Sequence, residues 1–321
     1  MASIRKHEWL KKIIAKGGDV MAAKVFATGV GAPEGPVCLP DGSMYVTEMS
    51  AATLQVTRLF SDGRRKVIKR TGGRPNGLAM DGDGNLWIAE AGLRAVVCID
   101  VEGRELLRID HDGEQPFRLP NDLCFGKDGH LYLTDSGMAA QDFLDGQNFA
   151  ENYRKLAWDG RVYDIDPVKG EVLRILDRGI LFTNGIAFGP DDALYANASF
   201  TGEVYRYDVF GTANPRRKVF GNVLQPFEGD DFRGPDGMCW GDDRRLYCTV
   251  YGQRNVTVLG EDGSVVERLP LEGENPTNCA FALSGDALFV TEVQRGRVEQ
   301  ISTSCGGLPL HYPKIGLKAP A

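Results

Sequence analysis

Six oxygen-bearing side chains recur at a fixed place in this chain: Glu34, Asn76, Asn121, Asn184, Asp236 and Asn278. Eleven residues after each stands an aromatic residue, Tyr45, Trp87, Tyr132, Tyr195, Tyr247 and Phe289, with a turn sequence between the two. Two of these anchors are carboxylates and four are amides. If they converge, the carboxylates repel unless a positive charge sits among them. An oxygen-only donor set suits a hard divalent cation such as Ca2+ or Mg2+. No histidine occupies an anchor place; His7, His111, His130 and His311 lie elsewhere. That argues against an imidazole-ligated metal and a histidine-dependent hydrolase.

The residue after the anchor is Gly35, Gly77, Gly185 and Gly237 in four units and Cys279 in the sixth. Small residues suit strands that crowd at an axis. The third unit has Asp122 instead, and a carboxylate that breaks a local rule beside a polar anchor suggests substrate or proton handling. The alternative is a hydrogen bond to a neighbouring loop. Arg118, four residues earlier, reads as an ion-pair partner of Asp122, as a surface charge, or as a donor to a substrate oxygen.

These residues need elements to hold them. The turns between anchor and aromatic are Pro40-Asp-Gly, Gly82-Asp-Gly, Lys127-Asp-Gly, Pro190-Asp-Asp, Gly241-Asp-Asp and Ser284-Gly-Asp. Such residues supply the backbone angles of tight hairpins. Anchor spacings of 42, 45, 63, 52 and 42 residues are those of a propeller with one four-stranded sheet per blade. The chain is therefore expected to be all-β, a six-bladed β-propeller whose first strands line a central channel and gather the anchors at one mouth. In the first blade the strands are placed near 36–39, 43–48, 53–60 and 65–70. The strand at 24–28 is expected to close the ring by joining 297–301 in the sixth blade.

Residues 1–22 read as an N-terminal extension with a short amphipathic helix around Leu10, Ile13 and Ile14, residues 23–312 as the propeller, and 313–321 as a C-terminal tail. Blade three carries a long excursion at 136–159 with Phe143, Leu144, Phe149 and Tyr153. It is either a lid over the channel mouth or a surface decoration. The Gly-, Pro- and acid-rich stretch 221–234 suggests another rim loop.

Forty glycines fit a chain of many turns, and a net charge of −7 with pI near 5.3 argues against a nucleic-acid partner. Seven cysteines without framework spacing read as buried thiols in a reducing compartment. No apolar run reaches the roughly 20 residues of a membrane span, and no signal-peptide pattern is visible. The expectation is a cytoplasmic protein with a small-molecule substrate and no membrane partner; its oligomeric state stays open.

With Glu34-Gly-Pro, Arg74-Pro-Asn-Gly77, Arg118-Leu-Pro-Asn-Asp122, Thr183-Asn-Gly185 and Pro235-Asp-Gly237 in this order, the chain resembles the SMP-30/gluconolactonase/LRE family. The resemblance implies a six-bladed propeller holding one divalent cation, Ca2+ foremost and Mg2+, Mn2+ or Zn2+ as alternatives, and a hydrolase that opens sugar-lactone-like cyclic esters. It implies ligation by Glu34, Asn184 and Asp236, with Asn121 as a fourth ligand or a substrate contact. Arg118 and Asp122 would face the substrate, with Asn76 near the pocket. Asp236 or Asp122 would accept the proton of the attacking water. Rival readings are the same site acting on an organophosphate ester or a cyclic diketone, a non-catalytic binding propeller, and a metal-free condensing propeller of the strictosidine-synthase type using Glu90 or Glu292.

Overall fold

The computed structural model describes residues 23–145 and 148–318; the helix expected within 1–22 lies outside them. After β1 (Lys24–Thr28) come six four-stranded antiparallel sheets. Blade one is β2 (Pro33–Cys38), β3 (Met44–Glu48), β4 (Gln55–Leu59) and β5 (Arg65–Arg70). Blade two is β6 (Pro75–Met80), β7 (Leu86–Glu90), β8 (Ala95–Ile99) and β9 (Glu105–Ile109). Blade three is β10 (Pro120–Phe125), β11 (Leu131–Asp135), β14 (Gly160–Asp166) and β15 (Glu171–Ile180). Its excursion contains the short helix α1 (Ala140–Phe143) and the ribbon of β12 (Leu144–Asp145) and β13 (Asn148–Phe149).

Blade four is β16 (Thr183–Phe188), β17 (Leu194–Ala198), β18 (Glu203–Tyr207) and β19 (Lys218–Asn222). Blade five is β20 (Gly234–Trp240), β21 (Leu246–Tyr251), β22 (Asn255–Leu259) and β23 (Val265–Pro270). Blade six is β24 (Pro276–Phe281), β25 (Ala287–Glu292) and β26 (Arg297–Ser302), completed by β1, which pairs antiparallel with β26 from Lys24↔Gln300 to Thr28↔Arg297. The expected closure is therefore present, and it leaves the first strand of the ring paired rather than exposed. Among the described residues no helix is long and apolar enough to cross a membrane.

The repeat has a packing cause. The aromatic eleven residues past the anchor crosses to the inner strand of the following blade: Trp87 meets Phe125 at 5.8 Å, Tyr132 meets Phe188 at 5.0 Å, Tyr195 meets Trp240 at 4.9 Å and Tyr247 meets Phe281 at 5.0 Å, all edge to face. Buried rings need partners for their polar tips, and the turn aspartates provide them. Tyr132, Tyr195 and Tyr247 donate their hydroxyls to Asp128, Asp191 and Asp243 at 2.8, 3.1 and 3.0 Å. The other oxygen of each aspartate accepts a backbone N–H of its own turn. One residue type thus serves the turn and the interblade contact together.

The inner strands start earlier than 36–39, at Pro33 in blade one, so the anchors lie inside them. In each of the six blades the register of the inner strand shifts at or beside the anchor, for example between Glu34 and Val37, Pro120 and Leu123, Thr183 and Ile186, and Pro235 and Met238. A bulge turns a side chain away from its place in the pleat.

At the far ends of the inner strands a cavity of about 540 Å3 fills the channel, lined by apolar groups and by the thiols of Cys38, Cys124, Cys239 and Cys279. Residues 307–312 of the C-terminal segment complete its wall. That segment is tied down by Leu308 N–H donating to Trp240 O and Gly82 N–H donating to Pro313 O, both at 2.8 Å. All seven cysteines are free, and burial drives the Cys38 thiol up to about 12.

Candidate metal centre

The bulged anchors bring three carboxylates together at the channel axis. Glu34 and Asp122 are buried, and Asp236 is half-buried. Asn278 bridges the first two, its Nδ2 donating to Glu34 Oε2 at 2.9 Å and to Asp122 Oδ2 at 3.3 Å, while its Oδ1 accepts from Cys279 N–H at 2.8 Å. Blades three and six face each other across the ring, so Asp122 crosses the channel. It does so in the space left by glycine: a Cβ on Gly77 would overlap the Asp122 carboxylate, and one on Gly237 would overlap the Asn278 side chain. Gly77 and Gly237 are therefore required by a side chain of the next blade, whereas a Cβ on Gly35 or Gly185 would first meet that blade's backbone, at Leu78 N and Asp236 O.

Burial, followed by the charge of Asp122, raises the Glu34 carboxyl to about 8, and burial raises Asp122 to about 7. Burial and then the charges of Glu34 and Asp122 push Asp236 well above the usual carboxylate range. Among the described residues no arginine or lysine charge acts on any of the three. Three acidic groups without a cation make a costly arrangement.

The amides beside them are oriented. Asn121 Nδ2 donates to Ser136 Oγ at 2.9 Å and Asn184 Nδ2 to Ser199 Oγ at 3.2 Å. Each serine hydroxyl then donates to the next blade's backbone, Ser136 to Thr183 O at 2.9 Å and Ser199 to Pro235 O at 2.7 Å. With its nitrogen engaged, the Asn184 amide leaves a buried Oδ1 that accepts no hydrogen bond. That orphaned acceptor beside a cluster of uncompensated carboxylates fits a hard divalent cation, with Glu34, Asn121, Asn184 and Asp236 as the oxygen donors. Among the described residues no three His, Cys, Asp or Glu side chains are grouped to hold a metal, so such a site depends on the amides.

A further layer went unread in the sequence. Thr47 and Thr134, thirteen residues after their anchors, donate to the backbone carbonyls of the next anchors, Asn76 and Asn184, at 2.6 and 2.5 Å. Asn197 does the same for Asp236 at 2.6 Å. The signal was available as polar residues at offsets of thirteen and fifteen within the same repeat.

Arg118 does not pair with Asp122. Its guanidinium donates to Gly137 O at 2.9 Å and lies 3.5 Å from Asp159, because Asp122 turns to the axis while Arg118 stays with the base of the excursion. Asn76 is half-buried at the mouth. Glu90 and Glu292 are committed to loop groups: Glu90 accepts from Thr71 Oγ1 and Leu93 N–H, and Glu292 from the N–H groups of Asn275, Gln294 and Arg295. Neither is presented to the channel as a free acid.

Comparison with known proteins agrees with this architecture. Residues 109–294 match the family model described as the SMP-30/gluconolactonase/LRE-like region. A gluconolactonase of Zymomonas mobilis is 27% identical over 295 residues, covering 84% of this chain and 78% of that protein. Among solved structures, a gluconolactonase of Xanthomonas campestris superposes with a TM-score of 0.69 at 22% identity, covering 89% of each chain. The calcium-binding protein regucalcin of Agrobacterium tumefaciens superposes with a TM-score of 0.71 at 20% identity, covering 92% of this chain and 98% of that one. With more than half of its length matched by the family model, the chain belongs to the SMP-30/gluconolactonase/LRE-like family.

Proposed function

We propose that this protein is a divalent-cation-dependent hydrolase that opens a lactone ring to the hydroxy acid. The observation that carries the reading is the cluster of uncompensated carboxylates, Glu34, Asp122 and Asp236, beside the orphaned Asn184 oxygen. Family membership and the similarity to a gluconolactonase support the choice of reaction.

In this reading Glu34, Asn121, Asn184 and Asp236 hold the ion, with Ca2+ first among the candidates. When bound, a divalent cation compensates the buried charge and polarises an ester carbonyl. The chain's own residues do the rest. Asn278 fixes the direction of Glu34 through its 2.9 Å hydrogen bond, and the serine pairs hold the two amides. Asp236, half-buried and therefore reachable, accepts the proton of the attacking water, with Asp122 as the second candidate. Arg118 and Asn76 border the mouth as polar contacts for the substrate.

The test is a pH-indicator assay over a panel of lactones, organophosphate esters and cyclic diketones, before and after chelation, with Ca2+, Mg2+, Mn2+ or Zn2+ restored singly. Lactone opening that is lost on chelation and regained with one of these ions is the expected result. Full turnover by chelated protein would overturn the cation assignment, and turnover confined to another substrate class would overturn the reaction.

A further inference from the structure

The mouth around the anchors is uneven. Phe182 directly precedes β16 and Phe200 follows β17 by two residues, and Thr183 pairs with Ala198. Both rings therefore stand at the anchor end of blade four, Phe182 two residues from Asn184. Blade five repeats this: Phe232 lies two residues before β20, and Tyr251 ends β21 opposite Gly234, two residues from Asp236. The four rings form one array. Phe182 and Phe200 are 5.2 Å apart between centroids, Phe200 and Phe232 5.9 Å, Phe182 and Phe232 6.1 Å, and Phe232 and Tyr251 5.5 Å.

The excursion supports the array from its outer side. Trp158 stacks on Phe182 at 5.1 Å with an interplanar angle of 21°, and Phe143 and Tyr153 join the same cluster. Phe143, Tyr153, Trp158 and Phe182 are buried, whereas Phe200, Phe232 and Tyr251 remain half-buried. A rigid base with an accessible edge is thus placed against the proposed ligands of blades four and five. In the other blades the residues flanking the inner and second strands are Ala32 and Met49, Arg74 and Ala91, Leu119 and Ser136, and Asn275 and Val293. None is aromatic.

We propose that the substrate is a lactone carrying an apolar substituent, a hydrocarbon chain or aryl group, and that Phe200, Phe232 and Tyr251 form the shelf on which this substituent lies. The proposal rests on the lactone-hydrolase reading. A polyhydroxylated ring can lay only its C–H face on these rings and must keep its hydroxyls hydrogen-bonded at the edge, whereas a hydrocarbon substituent can bury its whole length there. A hydrocarbon substituent gains from every methylene it buries. Arg74 stands on the opposite side of the ring, in blade two, and its charge acts on the Tyr251 phenol. The mouth therefore offers a cation to the ester or its product carboxylate and an apolar surface to the substituent. A non-polar substituent is also consistent with the aromatic core of the excursion, which a decoration would not need to align with the ligands.

The test uses cation-loaded protein. kcat/KM is measured for γ-lactones with straight side chains of increasing length and for glucono-δ-lactone, and binding of the matching γ-lactams is followed by tryptophan fluorescence, with Trp158→Phe as control. Turnover and lactam binding should both rise by about fourfold per methylene over the first few carbons, with the sugar lactone below the alkyl series. Phe232→Ala should flatten the series through KM, and Phe232→Leu should retain part of the slope. Lactam binding that rises with chain length while no lactone is opened leaves the shelf standing and removes the hydrolase reading. Lactone opening with a flat dependence on chain length in both measurements, or a preference for the sugar lactone, overturns the shelf.

Discussion

Blades one, two, three and six end their second strand on a carboxylate, fourteen residues after the anchor; blades four and five have Ala198 and Val250 there. The four carboxylates are structural keys. Glu48 accepts from Gly31 N–H at 2.7 Å, Asp135 from the N–H groups of Arg118, Leu119 and Gly137, and Glu90 and Glu292 hold their loops in the same way. Each ties the loop before its inner strand to the end of its second strand, Glu90 through the Thr71 hydroxyl and the other three through backbone N–H groups. Where the key is missing, aromatic rings hold the loops instead, and those two blades present Asn184 and Asp236. The difference teaches that acid residues at one mouth of a propeller divide into two kinds. Those whose oxygens are taken up by loop N–H groups and neighbouring polar side chains build the rim. Those that face other carboxylates without a cation are the ones that call for a ligand.

Substitution can test that division, and the largest effect is expected at Asp236. Asp236→Asn keeps the shape and an oxygen donor but removes charge and base, so kcat should fall about 10²–10⁴-fold and cation binding should weaken. Asp122→Asn should lower kcat with the cation still bound. If Asp236→Asn turns over near normally at saturating cation, the base is Asp122. If neither variant is impaired, the mouth is not the active site.

Next in size is the serine support. Ser199→Ala removes the acceptor of the Asn184 amide and the donor to Pro235 O. Loss of such an outer partner lowers metal affinity about 10–100-fold, read by calorimetric titration, with kcat at saturating cation largely kept. Unchanged affinity would remove Asn184 from the ligand set.

On the other side of the comparison, Glu292→Gln should cost stability rather than chemistry. Three backbone N–H groups lose a carboxylate acceptor, a loss of about 1–3 kcal/mol of stability, read as a lower urea midpoint at unchanged slope. A loss of cation affinity with stability intact would show that the keys and the ligand cluster are not separate.

The smallest and most diagnostic effect concerns pH. Folded values near 8 for Glu34 and 7 for Asp122 exceed the roughly 4 of free carboxyls. The metal-free folded chain therefore binds more protons than the unfolded one between about pH 4 and 8, and its stability falls as pH rises through that window. Ca2+ should raise Tm more at pH 8 than at pH 5. A metal-free Tm that stays level or climbs with pH would contradict the uncompensated cluster.

Much of the fold was legible because its causes are local. Turn aspartates, strand alternation and the aromatic at offset eleven repeat along the chain, so the blades and the closing pair of β1 and β26 could be placed. The six anchors, Glu34, Asn76, Asn121, Asn184, Asp236 and Asn278, were legible because each holds the same place in its repeat, whereas the choice of Glu34, Asn121, Asn184 and Asp236 among them came from the family resemblance. The partner of Arg118 was left open by the sequence, since nearness to Asp122 along the chain says nothing once a bulge turns one side chain to the axis, and the structure sets it against Gly137 O and Asp159 instead. The aromatic array was not visible: only Phe232 falls in a stretch that the sequence singled out, 221–234, while Phe182, Phe200 and Tyr251 lie elsewhere in blades four and five.

The sequence by itself determined the periodicity, the turns and the chemistry of the anchors, because these depend on residues a dozen apart in a hairpin. Tertiary structure alone decided which oxygens meet. Asn278 reaches Glu34 over a separation of 244 residues and Asp122 over 156, contacts that exist only once the ring has closed. The strain of three acidic groups at one axis likewise belongs to no segment of the chain. It arises because closure removes the water that each carboxylate would otherwise keep.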